Sequence, residues 1–363
     1  MLHSQIRGLE KIVSPGLLVD PVRVSANIGR MIDAVGGAAA GSRLRPHVKT
    51  HKMPAVIELQ RAVGIDKFKV ATLMEAEMVA RCGATDVLLA HQVVGPKLDH
   101  LVDLVKQFPQ TRFSTIVDDA GVVKCLAERF APTTYSLLLY IDVDCGMHRT
   151  GIEFGGGLDQ LREQIESTAG VRFGGLHVYD GHVHDATLED RRLAAEPIIA
   201  AVRDYQQKSP APNIIGGGTP TFPIWAAETS FECSPGTPIL WDVGYDSSYP
   251  GFCFEVAACL LTRVISKPGP GNLCFDLGYK AVSSEMPLER RLMFPELPDA
   301  KWVGHSEEHL VVSTSRADEF AVGHAMLAYP RHICPTVALY PRAHVIRNHE
   351  VTDETWEIAA RGH

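Results

Sequence analysis

Through roughly the first 230 residues, short continuous apolar runs alternate with stretches of helical periodicity. Gly16–Asp20, Arg45–Lys49, Lys67–Thr72, Asp86–His91, Arg112–Val117, Tyr135–Asp142, Arg172–Tyr179 and Asn213–Ile215 read as strands. Between them Pro21–Val35, Pro54–Val63, Met74–Cys82, Lys97–Phe108, Ala120–Phe130, Leu158–Ser167, Leu188–Gln207 and a last stretch ending at Glu228 read as helices. The strands are short, mostly apolar runs of the kind covered on both faces of a parallel sheet. Eight strand–helix units favour a closed (β/α)8 barrel over an open doubly wound sheet. No GxGxxG follows the first strand, which weakens the dinucleotide-binding alternative.

Beyond about residue 245 the pattern changes. Phe254–Ile265, Asn272–Ala281, His309–Ser313 and Val337–Arg347 read as strands separated by Gly/Pro turns such as Lys267–Gly271. The expectation is an α/β protein: an N-terminal TIM barrel over 16–245, and a mostly β domain over 246–363 that residues 1–15 join.

Composition adds limits. With 363 residues, two domains are expected. A hydrophobic content of 45% and a charged content of 21% suit a globular chain, and a formal charge of −8 argues against general binding to nucleic acid or anionic membranes. No apolar stretch of about 18 residues exists to span a bilayer, and Met1–Gln5 shows no signal pattern. The eight cysteines include no CxxC pair and read as reduced thiols of a cytoplasmic protein.

Five stretches at the ends of predicted strands carry candidate chemistry. Lys49 ends the second strand among Arg43, Arg45, His47, His51 and Lys52. Nearby positive charge and burial both lower an ammonium pKa, and such a lysine forms Schiff bases. Arg149, in Asp142–Gly151, is placed to bind a phenolate or carboxylate. In Tyr179–Asp185, alternation puts His182 and His184 on one side of an extended segment, suited to acid–base work or metal binding. Gly216-Gly217-Gly218-Thr219 lies between the last strand and its helix, where exposed backbone N–H groups cradle phosphate. A phosphate cradle together with a Schiff-base lysine implies pyridoxal 5′-phosphate. His332 and Cys334, two apart, share one side of an extended segment, and imidazole with thiolate selects zinc over magnesium or calcium.

Taken together, R-P-H-x-K-T-H-K at Arg45–Lys52, D-x-G-x-x-R-T-G at Asp144–Gly151, G-G-G-T-x-T-F at Gly216–Phe222, S-E-E-H at Ser306–His309 and H-x-C-P-T-V at His332–Val337 resemble the D-threonine aldolase/D-serine dehydratase family of alanine-racemase-like, fold-type III enzymes. The resemblance spans nearly the whole chain. It implies a barrel plus a β domain, a homodimer, a pyridoxal-phosphate lysine and a divalent metal near the hydroxyl of a β-hydroxy-D-amino acid. Carried over, it makes Lys49 the Schiff-base lysine, Arg149 the arginine near the cofactor O3′, and Tyr179 a cofactor-site tyrosine. Gly217, Gly218 and Thr219 become the phosphate loop, and His332 and Cys334 the metal pair. The aldolases usually carry His and Asp at that pair and the dehydratases His and Cys with zinc, so Cys334 leans toward dehydration; manganese is the alternative metal. The segment holding His182 and His184 departs from both patterns. Rival expectations are a metal-independent racemase on the same scaffold and a non-catalytic pyridoxal-phosphate carrier. The β domain argues against the carrier.

Overall fold

The computed structural model describes residues 6–37, 41 and 43–362; Met1–Gln5, inspected above for a leader, lie outside them. Two compact units emerge. One contains 31–49 and 57–236; the other contains 50–56, 237–361 and the described part of 1–30. The sixteen strands are β1 (Gly16–Val19), β2 (Lys67–Val70), β3 (Asp86–Leu89), β4 (Arg112–Val117), β5 (Leu137–Val143), β6 (Val171–Val178), β7 (Ile214–Gly216), β8 (Glu232–Cys233), β9 (Ala258–Ser266), β10 (Asn272–Phe275), β11 (Leu292–Met293), β12 (Lys301–His305), β13 (Leu310–Ser313), β14 (Ala325–Pro330), β15 (Arg342–Arg347) and β16 (Glu350–Glu357).

In the first unit β2 to β8 form a parallel sheet in sequence order. Residues 44–47 close it. Leu44 bridges Cys233 and His47 bridges Lys69, both in parallel. The Arg45 and His47 N–H groups donate to the carbonyls of Cys233 and Pro235, and the Lys69 N–H donates to that of Pro46, each at 2.9 Å. The stave lacks regular strand geometry because Pro46 has no N–H to give. Leu88, Ile116, Tyr140 and Ile215 pack the barrel interior. Capping side chains start the intervening helices: Thr72 accepts the Glu75 N–H ahead of Leu73–Arg81, Asp119 that of Val122 ahead of Ala120–Phe130, and Thr187 that of Asp190 ahead of Leu188–Lys208.

Two expectations change. The run Gly16–Asp20 was expected to be the first barrel strand. Instead β1 pairs in parallel with β15 and antiparallel with β9. Both settings bury all four residues, so an apolar run suits either sheet. The strand missing from the barrel count is β8, too short to register as a periodic segment. The second unit is built on a nine-stranded sheet with the path β12-β13-β10-β9-β1-β15-β16, β14 pairing with β9 and β11 with β14. Trp241, Tyr329, Leu18, Leu261 and Ile346 belong to its core. Among the described residues no helix is long and apolar enough to cross a membrane.

Candidate active site

The C-terminal ends of the barrel strands surround a cavity of about 400 Å³, the size of a small-ligand site at the face where barrel enzymes keep their chemistry. Lys49 reaches it from a tight 3-10 turn, Val48–Thr50, just past the closing stave. Lys69 of β2, Asp142 of β5, His177 of β6, and Tyr179 and Arg149 from the following loops also line it. The Arg149 guanidinium lies 5.2 Å from the centre of the Tyr179 ring. Among the described residues neither Lys49 nor Arg149 has a carboxylate partner; the two carboxylates lining the cavity, Asp118 and Asp142, accept instead from Gly151 and from Thr150 and His177. That suits an anionic occupant.

Lys69 is 3% exposed. Its Nζ is 3.5 Å from His177 Nε2 and 5.6 Å from the centre of the Tyr179 ring. The other imidazole nitrogen, Nδ1, is 2.7 Å from Asp142 Oδ1, and Asp142 Oδ2 accepts the Thr150 hydroxyl at 2.8 Å. An ionised carboxylate only accepts, so His177 donates from Nδ1 and Nε2 keeps a lone pair for Lys69. Burial and then the neighbouring Lys49 push the Lys69 ammonium down to about 7, against the pull of Asp142 and Asp180. Burial opposes the charged Asp142, but hydrogen bonds from His177 and Thr150 hold its carboxyl below the ordinary range.

The glycine loop is built around Asp180, which is 1% exposed. Its carboxylate accepts the Gly218 N–H and the Thr221 hydroxyl, both at 2.8 Å, and the Trp225 indole N–H at 2.7 Å. The Gly217 N–H goes to the Val178 carbonyl. Gly217 sits at φ +79°, and a Cβ there would lie 2.8 Å from the Trp225 ring. Much of the glycine requirement therefore comes from seating Trp225. The Thr219 N–H has no partner among the described residues and is available to an anion.

His182 and His184 do not share an extended segment. The chain turns there, with the Val183 N–H bonded to the Asp180 carbonyl. The His182 ring packs against Gly146, and its buried Nδ1 has no partner among the described residues. His184 is exposed, with Nδ1 2.5 Å from the His182 carbonyl. Neither is among the residues lining the cavity.

In the other unit, His332 and Cys334 are not on a strand. His332 caps a short helix, Ile333–Val337, and Cys334 lies in its first turn. Pro335 follows, in the turn where a helix tolerates proline. Cys334 Sγ is 3.2 Å from Thr50 Oγ1 and 3.7 Å from Thr237 Oγ1; His332 Nδ1 is 2.5 Å from Glu285 Oε1. Burial works against the His332 imidazolium, but hydrogen bonds to Cys334 and Glu285 outweigh it and carry the group to about 9. Among the described residues no cluster of three or more His, Cys, Asp or Glu side chains is poised around a common metal position. His332 and Cys334 with a carboxylate behind the imidazole are a donor set that fits zinc with open positions.

The expected field around Lys49 is also different. Arg45 is fully buried and paired with Asp86 at 2.6 Å and Glu232 at 2.7 Å. His51 is buried, and desolvation lowers it to about 3, so it is neutral. The neighbouring amine is Lys69, which the sequence reading missed. Its signal was the pair Lys67 and Lys69, one face of a strand predicted to be buried on both sides.

Residues 19–237 match the family model "Alanine racemase, N-terminal domain", and 257–346 match "Putative serine dehydratase domain". The chain is 28% identical to a D-threonine aldolase of Arthrobacter sp, over 98% of this chain and 94% of that one. It is 26% identical to a D-threo-3-hydroxyaspartate dehydratase of Delftia sp. (strain HT23), over 95% and 96%. The crystal structure of D-threonine aldolase from Filomicrobium marinum superposes with a TM-score of 0.88 at 26% identity, covering 99% of this chain and 98% of that one.

Proposed function

The chain belongs to the alanine-racemase-like, fold-type III family that includes the D-threonine aldolases and D-serine dehydratases, and from that premise we propose that it is a pyridoxal-phosphate- and metal-dependent lyase of β-hydroxy-D-amino acids. The observation that carries the reading is the barrel-mouth cavity with Lys49 and Arg149 free of acidic partners among the described residues. Pyridoxal 5′-phosphate, when bound, supplies a carbonyl for a lysine amine and an electron sink for bonds at an amino acid's Cα.

In this reading Lys49 anchors the cofactor, Arg149 faces its phenolic oxygen, and Tyr179 packs beside it. The loop from Gly217 to Thr219 holds the phosphate. The contacts within that loop narrow the role: Gly217 and Gly218 shape the backbone around Trp225 and Asp180, and Thr219 offers the free N–H. His332 and Cys334 hold zinc, which supplies Lewis acidity to a β-hydroxyl. Thr50, which follows Lys49 in the chain, places its hydroxyl against the Cys334 thiol. The similarity to relatives named for D-threonine and D-threo-3-hydroxyaspartate supports a hydroxyl at Cβ. Homodimerisation belongs to the same proposal.

Product analysis tests it. With D-threonine, D-serine and D-threo-3-hydroxyaspartate, we expect either glycine plus an aldehyde or a keto acid plus ammonia, and loss of both after chelation and dialysis. Full activity in metal-free protein would remove His332 and Cys334 from the reading. Interconversion of D- and L-amino acids without cleavage would make the chain a racemase. Dehydration is the second reading, favoured by Cys334, whose thiol replaces the carboxylate expected of an aldolase.

A further inference from the structure

Cleavage of a β-hydroxy amino acid needs a proton to travel. When the Cα–Cβ bond breaks to give glycine and an aldehyde, the hydroxyl proton is lost from oxygen and a proton is gained by Cα. When water is eliminated, the Cα proton is lost and a proton is gained by the departing hydroxyl. Both reactions balance with a single group that carries one proton between the β-oxygen and Cα, in opposite directions. In both, that group must first accept a proton from substrate.

We propose that Lys69, oriented by His177 and Asp142, is this group: its Nζ accepts the proton that leaves the substrate and returns it to the other atom. The proposal rests on the lyase reading above and gives Lys69 the acid–base role that the sequence suggested for His182 or His184. Geometry carries it. Lys69 lines the same cavity as Lys49, whereas His182 and His184 do not. His177 Nε2 is placed to accept one N–H of Lys69 at 3.5 Å, and the Asp142 carboxylate fixes the imidazole from the other side at 2.7 Å. The amine is thereby aimed, and its lone pair is left to the cavity. Other groups act on it as well. Lys49 and Arg45 disfavour its charge, Asp142 and Asp180 favour it, and the Tyr179 ring covers one side. A neutral amine at the mouth of a barrel is a competent base near pH 7.

The test compares wild type with Lys69→Met, both loaded with pyridoxal 5′-phosphate and zinc. We expect the variant to keep the visible absorbance of the lysine-linked cofactor while its kcat falls by about 10²- to 10³-fold. The wild-type rate should rise with pH through about 7, and that limb should vanish in the variant. In cofactor-free protein labelled with ¹³C at lysine Cε, one resonance should titrate near neutral pH and be missing from Lys69→Met. If Lys69→Met does not fold, Asp142→Asn keeps the amine but removes a charge that favours its ammonium form; the limb should move to lower pH. Activity within threefold of wild type, or a loss of rate with an unchanged pH profile, would overturn the role. Wild type that holds no cofactor or cleaves none of the three substrates would overturn the lyase reading instead.

Discussion

The two ends of the barrel handle charge in opposite ways: the network end buries it, whereas Lys49 and Arg149 at the other end are exposed. At the N-terminal end, the first residues of four strands meet in one ion-pair network. Asp86 of β3 holds Arg45 and Arg112, and Glu232 of β8 holds Arg45 and Lys67. Each carboxylate there has two cationic partners. At the C-terminal end, Lys49, Lys69 and Arg149 gather around a cavity whose carboxylates are already engaged, Asp118 by the Gly151 N–H and Asp142 by His177 and Thr150. A network with its charges matched fixes a structure. A cavity with cations left over can bind and react, and burial there shifts Lys69 instead of pairing it. Position along a strand thus separates stabilising charge from working charge.

The largest expected effect tests the working end. Lys49→Ala should abolish covalent capture of pyridoxal 5′-phosphate and reduce turnover by at least about 10³-fold. Persistence of the cofactor's visible absorbance at unchanged affinity would remove Lys49 as the anchor. Next, Arg45→Met should cost about 3–5 kcal/mol by denaturant unfolding, because Asp86 and Glu232 lose their shared buried partner. A cost below about 1 kcal/mol, the level of a surface ion pair, would erase the distinction between the two ends.

The opposite sign is expected at Lys69. Burial brings its folded-state pKa to about 7 from the ordinary lysine value of 10.5, so between those pH values the unfolded chain holds a proton that the folded protein does not. The cost of burying the amine therefore grows as pH falls from 10.5 to 7 and is constant below. Lys69→Met should be more stable than wild type by about 4 kcal/mol at pH 7, and the advantage should shrink as pH rises toward 10.5. An advantage independent of pH would mean that packing, not the amine, is responsible. The smallest effect is expected at Thr187→Ala, which removes a helix cap that lines neither the ion-pair network nor the cavity and should cost about 1 kcal/mol with unchanged turnover.

Much of this was legible in sequence. The βα alternation, the Lys49 motif and the His332/Cys334 spacing stand out because each is local. The rest depended on pairing. Residues 16–19 look alike in either sheet, and only contact with β9 and β15 assigns them. Lys69 became visible once the Pro46 carbonyl bound its N–H and the stave turned its strand's face inward. The helix at Ile333–Val337 is too short to show a period, although Pro335 marked its first turn. The triple glycine was legible as a special backbone, but its dependence on Trp225 and Asp180 spans non-local contacts.

The closing stave also governs how the protein must be made. Residues 44–47 leave the ribosome early, yet their hydrogen-bond partners include Cys233 and Pro235. Until those emerge, a nascent chain carries a growing parallel sheet with two raw edges, one at residues 44–47 and one at the latest strand. Such edges recruit other chains. Fragments truncated shortly before residue 233 should therefore aggregate or be held by chaperones, and a few further residues should seal the ring.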